Sequence, residues 1–131
     1  MAEHPDCTVV RQGYEAFGKG AMETLAGLMT SDATHHVPGQ HILSGHHKGR
    51  EACLQLYSRI IEETNGTYRV ELQDVFADGR GHVMAVHKTY ADRGDRGVEM
   101  PGGIFFTIVG GKVSDLDECV GDIDVENEFW R

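Results

Sequence analysis

Cysteine is scarce and poorly spaced for the work it usually signals. Cys7, Cys53 and Cys119 are three in 131 residues, an odd number with no Cys-x-x-Cys pair. That argues against a disulfide frame, a zinc site or a dithiol redox centre, and the three read as reduced thiols in small apolar positions. Basic residues are also short. Twelve Lys and Arg stand against twenty-one Asp and Glu, a formal charge of −9, and no basic run compensates locally. Nothing is present to displace counterions from a phosphate backbone or to hold an anionic lipid surface, so neither nucleic acid nor membrane is expected as a partner. No apolar stretch approaches the roughly 20 residues of a membrane span. The stretch Met1-Ala2-Glu3-His4-Pro5-Asp6 lacks the basic-then-apolar order of a signal peptide, which implies a cytoplasmic protein.

What the chain does have is an ordinary globular mixture, 40% apolar and 25% charged, which excludes disorder and fibrous classes. Its length suits one domain over residues 1–131. From Asp6 to Phe17 the positions Val10, Tyr14 and Phe17 repeat at helical spacing, with Val9 and Gly13 beside them. Gly18 and Gly20 end this helix, and a shorter one follows through Met22, Leu25, Leu28 and Met29 until Ser31-Asp32. Ala33 to Val37 reads as a strand stopped by Pro38-Gly39, and the glycine-rich stretch to Gly49 as a loop. A third helix runs from Arg50 to about Glu63 and ends at Asn65-Gly66.

Beyond that point the period shortens to two. Tyr68 to Phe76, His82 to Ala91, Val98 to Val109 and Val113 to Val120 read as strands joined by turns into antiparallel neighbours. Pro101-Gly102-Gly103 inside the fourth predicts a bulge or sharp bend, and Val125, Phe129 and Trp130 a last helical turn. The expected fold is α+β, a bent antiparallel sheet curled around helices.

Titratable residues are unevenly distributed. His35, His36, His41, His46 and His47 fall in the first strand and the loop after it, with His82 and His87 on a later strand. Neighbouring strand residues point to opposite faces, so His35 and His36 cannot share an ion, and no metal is expected. On the closing strand Ser114, Leu116, Glu118 and Val120 share the apolar face. Glu118 there is a candidate for proton transfer, its pKa raised by desolvation; an ion pair or a wet rim is the other reading. His87 lies with Val83, Ala85 and Thr89 and suits catalysis or a hydrogen-bonded core position equally. His36 shares a face with Thr34 at a strand end beside a loop, where sites open. Tyr14 and Tyr57 lie on the buried stripes of their helices, pointing hydroxyls into a cavity or packing in the core.

The order αα, strand, loop, helix and four strands resembles the SnoaL-like branch of the NTF2-like superfamily. The likeness is carried by Ser31-Asp32-Ala33-Thr34-His35-His36-Val37-Pro38-Gly39, Leu43-Ser44-Gly45, Lys48-Gly49-Arg50-Glu51-Ala52, Gly111-Lys112-Val113 and Phe129-Trp130. It implies a cone that encloses a pocket, lined among others by Tyr14, Phe17, Thr34, Tyr57, Phe106 and Leu116, and a homodimer paired through the outer sheet face. Ketosteroid isomerase, a relative, has its base where this chain has Val37 and its oxyanion acid near Gly103, so that mechanism is not expected. In limonene-epoxide hydrolase the water-positioning residues fall near Thr34 and His36 and a last-strand Asp near Glu118. Its Arg and Asp on the third strand match Ala85 and His87, so the Arg is missing here. Polyketide cyclases place a carboxylate at Glu118 and use no metal or organic cofactor. The resemblance thus implies a cofactor-independent acid/base enzyme for a small polyketide-like or terpenoid-like molecule: a cyclase, isomerase, dehydratase or hydrolase. Glu118 and His87 would exchange the proton as carboxylate and imidazolium, with His36 holding a water or a carbonyl. A non-catalytic small-molecule-binding protein of the same fold is the alternative.

Overall fold

The computed structural model describes residues 2–131. Helix α1, Pro5–Gly18, opens with Pro5 in its first turn, where a missing N–H costs nothing, and the His4 ring accepts from the Asp6 amide at 3.1 Å. Gly20, at φ +65°, turns the chain into α2, Met22–Gly27. This helix is shorter than its apolar spacing predicts, because Met29 already opens strand β1, Met29–Val37. The Val113 amide donates to the Leu28 carbonyl at 2.8 Å and Met29 lies opposite Val113. Pairing with a distant strand overrides the local helical pattern.

Where a loop is predicted, a four-residue strand β2, Gly45–Lys48, pairs antiparallel with β1, with His36 opposite His46 and His35 opposite His47. Helix α3, Arg50–Glu63, follows Gly49 and ends where Asn65 and Gly66 take positive φ, as the sequence predicts. The remaining strands are β3, Arg69–Ala77, β4, His82–Arg93, β5, Arg96–Val109, and β6, Lys112–Val120. Spatial order is β2-β1-β6-β5-β4-β3. One neighbour pair, β1 with β6, is parallel, so the curled sheet is mixed. The chain leaves β1 for the far edge of the sheet and returns by hairpins, arriving beside β1 in the same direction.

Pro101-Gly102-Gly103 makes no bulge. The β4–β5 ladder runs unbroken from Arg93 opposite Arg96 to His82 opposite Thr107, and register shifts fall instead at Leu72/Asp74, Thr107/Ile108 and Met29/Thr34. The glycines permit close approach: a Cβ on Gly102 would lie 2.6 Å from the Cys119 carbonyl oxygen, and one on Gly103 would overlap that of Ala85.

The core fills the concave side of the sheet, where Ala33, Cys53, Val83 and Ala85 are fully buried. The expected final turn is a complete helix, α4, Ile123–Phe129, capped by the Asp122 carboxylate accepting from the Val125 amide at 3.1 Å. Arg93 and Arg96 donate to the Phe129 and Arg131 carbonyls at 2.7 and 2.8 Å, pinning Phe129 and Trp130 into the core. Among the described residues no helix is long and apolar enough to cross a membrane.

Candidate functional site

Between α1, α3 and the concave sheet lies a cavity of about 100 Å³, walled mainly by apolar and aromatic side chains. Aromatic rings meet edge to face around it, Phe17 on Tyr57 at 5.7 Å and on Tyr68 at 5.8 Å, and Tyr14 on Phe106 at 6.2 Å between centroids. Strand alternation delivers the charged and imidazole groups. β6 turns Leu116 and Glu118 inward, β4 turns in His87, and β1 turns in His35.

These groups form two hydrogen-bonded sets. In the first, burial pushes the Tyr57 hydroxyl well above its ordinary pKa and keeps it protonated. It donates to His35 Nδ1 at 2.9 Å, leaving Nε2 to carry the proton that Glu118 Oε1 accepts at 2.8 Å. The ring of His35 is buried and the Glu118 side chain 18% exposed, so one carboxylate oxygen is fixed while the residue lines the cavity. In the second set, Tyr14 is also held protonated, by burial first and by the negative charge of Glu118 second. Its hydroxyl donates to His87 Nδ1 at 2.6 Å. Burial also depresses the His87 pKa, more than the opposing charge of Glu118 raises it, so the ring is neutral and its proton sits on Nε2. That N–H has no hydrogen-bond partner among the described residues. The arrangement thus sets a carboxylate and a neutral imidazole N–H around one apolar space.

Of the residues predicted from sequence, Glu118, His87, Tyr14, Phe17, Tyr57, Phe106 and Leu116 line this cavity together. His36 and Thr34 do not. In the second half of β1 it is Ala33, His35 and Val37 that are buried, so His36 lies on the outer face, its Nδ1 3.2 Å from Asp117 Oδ1 and its ring 4.4 Å from that of His46. The expected pairing of Glu118 with a charged His87 is likewise replaced: Glu118 bonds His35, and His87 bonds Tyr14. His35 is the residue missed by sequence reading, although its apolar companions Ala33 and Val37 signalled the inward phase of the strand. Of the histidines placed by sequence in the loop after the first strand, His46 is exposed on β2, while His47 is half-buried and donates from Nε2 to the Leu43 carbonyl at 2.7 Å. Among the described residues no three His, Cys, Asp or Glu side chains converge as a metal set.

Near the cavity, Tyr68 packs 6.2 Å from Trp130, whose indole N–H donates to Glu126 Oε2 at 3.1 Å. Burial, then the charge of Glu118, pushes the Glu126 carboxyl up to about 7 against the smaller opposing effect of that hydrogen bond.

Comparison with known proteins agrees with this architecture. The SnoaL-like domain family matches residues 10–116. An uncharacterised protein of Mycobacterium tuberculosis (strain H37Rv) is 28% identical over 130 residues, 99% of each chain. The structure of Bal32a, from a soil-derived mobile gene cassette, is 36% identical with a TM-score of 0.95, covering 97% of both chains. A Mycobacterium tuberculosis protein solved in complex with estradiol-17β-hemisuccinate shares the fold at 14% identity, with a TM-score of 0.79 over 94% of this chain and 98% of that one. With helices on a curled mixed sheet, a pocket on its concave side and a matching sequence over most of its length, the chain belongs to the SnoaL-like domain family.

Proposed function

We propose that the protein is an acid/base enzyme that moves a proton on a small, largely apolar carbonyl compound of polyketide-like or terpenoid-like character, using side chains alone. One observation carries the reading: Glu118, oriented by the His35 imidazole, lines the same apolar cavity as His87, whose Nδ1 is taken by Tyr14 and whose Nε2 has no hydrogen-bond partner among the described residues. Proton removal next to a carbonyl needs a base at carbon and a donor at oxygen. Glu118 takes the proton from carbon as its carboxylate becomes a carboxylic acid, and the negative charge that develops on oxygen is met by His87 Nε2–H. Returning the proton from Glu118 to another carbon gives isomerisation. Attack of the enolate carbon on a second carbonyl of the same molecule, with the Glu118 proton passing to the new alkoxide, gives cyclisation, and loss of a β-hydroxyl as water, carrying the Glu118 proton, gives dehydration.

His35 and Tyr57 hold the base in place rather than touching the substrate, and their chain fixes which His35 nitrogen faces Glu118. Removing water from such a site strengthens each of these interactions. That a mycobacterial protein of the same fold was solved in complex with a small molecule supports a small-molecule ligand for this fold, while the proton-transfer roles rest on the present geometry.

The test is deuterium exchange from D₂O into a panel of small cyclic ketones and β-diketones, followed by NMR. The native protein should accelerate exchange at carbons beside a carbonyl, and Glu118→Gln should slow it by about 10²-fold or more with an unchanged melting temperature. Exchange at the native rate in that variant would remove Glu118 from the reaction. Binding of these compounds with no exchange by the native protein would favour a carrier of the same fold.

A further inference from the structure

Helix α1 presents Val10, Gly13, Tyr14 and Phe17 to the cavity, one stripe at spacings of three and four. The odd member is Gly13. It lies in the interior of a 14-residue helix, where glycine is a poor choice because it leaves the backbone most freedom to lose. The usual structural reasons for a helical glycine are missing. Its φ is not in the left-handed region, and a Cβ built on it would meet no atom within 4 Å. Gly102 is the instructive contrast, since a Cβ there would run into the Cys119 carbonyl oxygen. Gly102 is required by a neighbouring backbone, whereas Gly13 has open space before it and lines the cavity.

We infer that Gly13 is a specificity-determining position, its absent side chain keeping open the part of the cavity beneath α1 for an uncharged, single-ring ligand. The size follows from the volumes. A cavity of about 100 Å³ is somewhat smaller than an engineered one of about 150 Å³ that accepts benzene. Alanine at position 13 would place a methyl group at the edge of that room, where no other atom lies within 4 Å. Lack of charge follows from the lining, where Glu118 already places a negative group among aromatic edges such as Tyr14 and Phe17. A flat ring suits those edges, and a single oxygen on it would reach Glu118 or His87.

The inference rests on the reading that the cavity holds a ligand, but on no reaction there, so binding tests it separately from turnover. The probe is 4-fluorophenol, an uncharged ring with one oxygen, titrated by ¹⁹F NMR into native protein, Gly13→Ala and Gly13→Leu. Gly13→Ala should melt no lower than native protein, and about 2–4 °C higher if the gain in helix propensity is realised, yet bind the probe at least five-fold more weakly. Gly13→Leu, a good helix former that fills the space, should fold and bind none. An affinity within five-fold of native in Gly13→Ala, a melting temperature below native, or no binding by the native protein overturns the inference. Loss of deuterium exchange with probe binding intact would count against the proton-transfer roles and leave Gly13 untouched.

Discussion

His35 donates from Nε2 to Glu118 Oε1 across 2.8 Å, joining β1 to β6, the one parallel pair in the sheet. His36, the next residue, lies on the opposite face against Asp117. The contrast makes a paired prediction. His35→Phe should leave the Glu118 carboxylate and the Tyr57 hydroxyl without their partner, costing about 2–4 kcal/mol in urea denaturation and at least ten-fold in deuterium exchange. His36→Ala should change stability by less than about 0.5 kcal/mol and leave exchange unaltered. A larger effect at His36 than at His35 would reverse the assignment.

Tyr14 holds His87 Nδ1 at 2.6 Å and so aims the proton at Nε2. Tyr14→Phe should reduce exchange about ten-fold while Glu118 remains intact, because the imidazole loses its fixed tautomer. The donor form needs only a neutral ring, and burial lowers the His87 pKa below its ordinary 6.5. The loss of the His87 contribution to the pH–rate profile should therefore have its midpoint below pH 6.5. A decline in exchange centred above pH 6.5 that is absent from His87→Gln would contradict the neutral assignment.

Glu126 is a buried carboxyl whose pKa rises from 4.5 to about 7 on folding. Between those values the folded chain holds a proton that the unfolded chain has released, so this group withdraws stability as pH rises from about 4.5 to 7 and withdraws no more above that. The full effect is on the order of 3 kcal/mol. Glu126→Gln keeps an acceptor for the Trp130 indole but never ionises. It should be more stable than native protein at pH 8 and nearly equal at pH 4.5, compared by thermal melts at both pH values. Equal differences at the two would show that Glu126 titrates normally.

The outer face carries Phe76, Met84 and Phe105 in register across β3, β4 and β5, each about half exposed. The homodimer implied by the family resemblance would cover this strip. Met84→Glu should then convert a dimer into a monomer in light scattering while preserving the circular dichroism of the fold. A native protein that is monomeric at tens of micromolar would dismiss the dimer outright.

Much of this protein was legible in its residues. The α3 boundaries, the four later strands and the inward turn of Glu118 followed from apolar spacing, because one buried face imposes its period on the sequence. The inward lean of Tyr14, Phe17, Tyr57 and Leu116 followed in the same way. What the chain could not announce was anything decided by a distant partner. Four-residue β2 is too short to show alternation, and it is a strand because β1 runs beside it. Met29 left its helical pattern because Val113 lies opposite, and Pro101-Gly102-Gly103 stayed in a regular ladder because flanking backbones press in on both sides. The partners of the two site histidines belong to the same class. Residues 83 and 73 positions apart, Glu118 with His35 and His87 with Tyr14, meet only when the sheet curls and the first helix closes over it. Periodicity tells which way a side chain points, but the distance across a cavity is set by the whole fold.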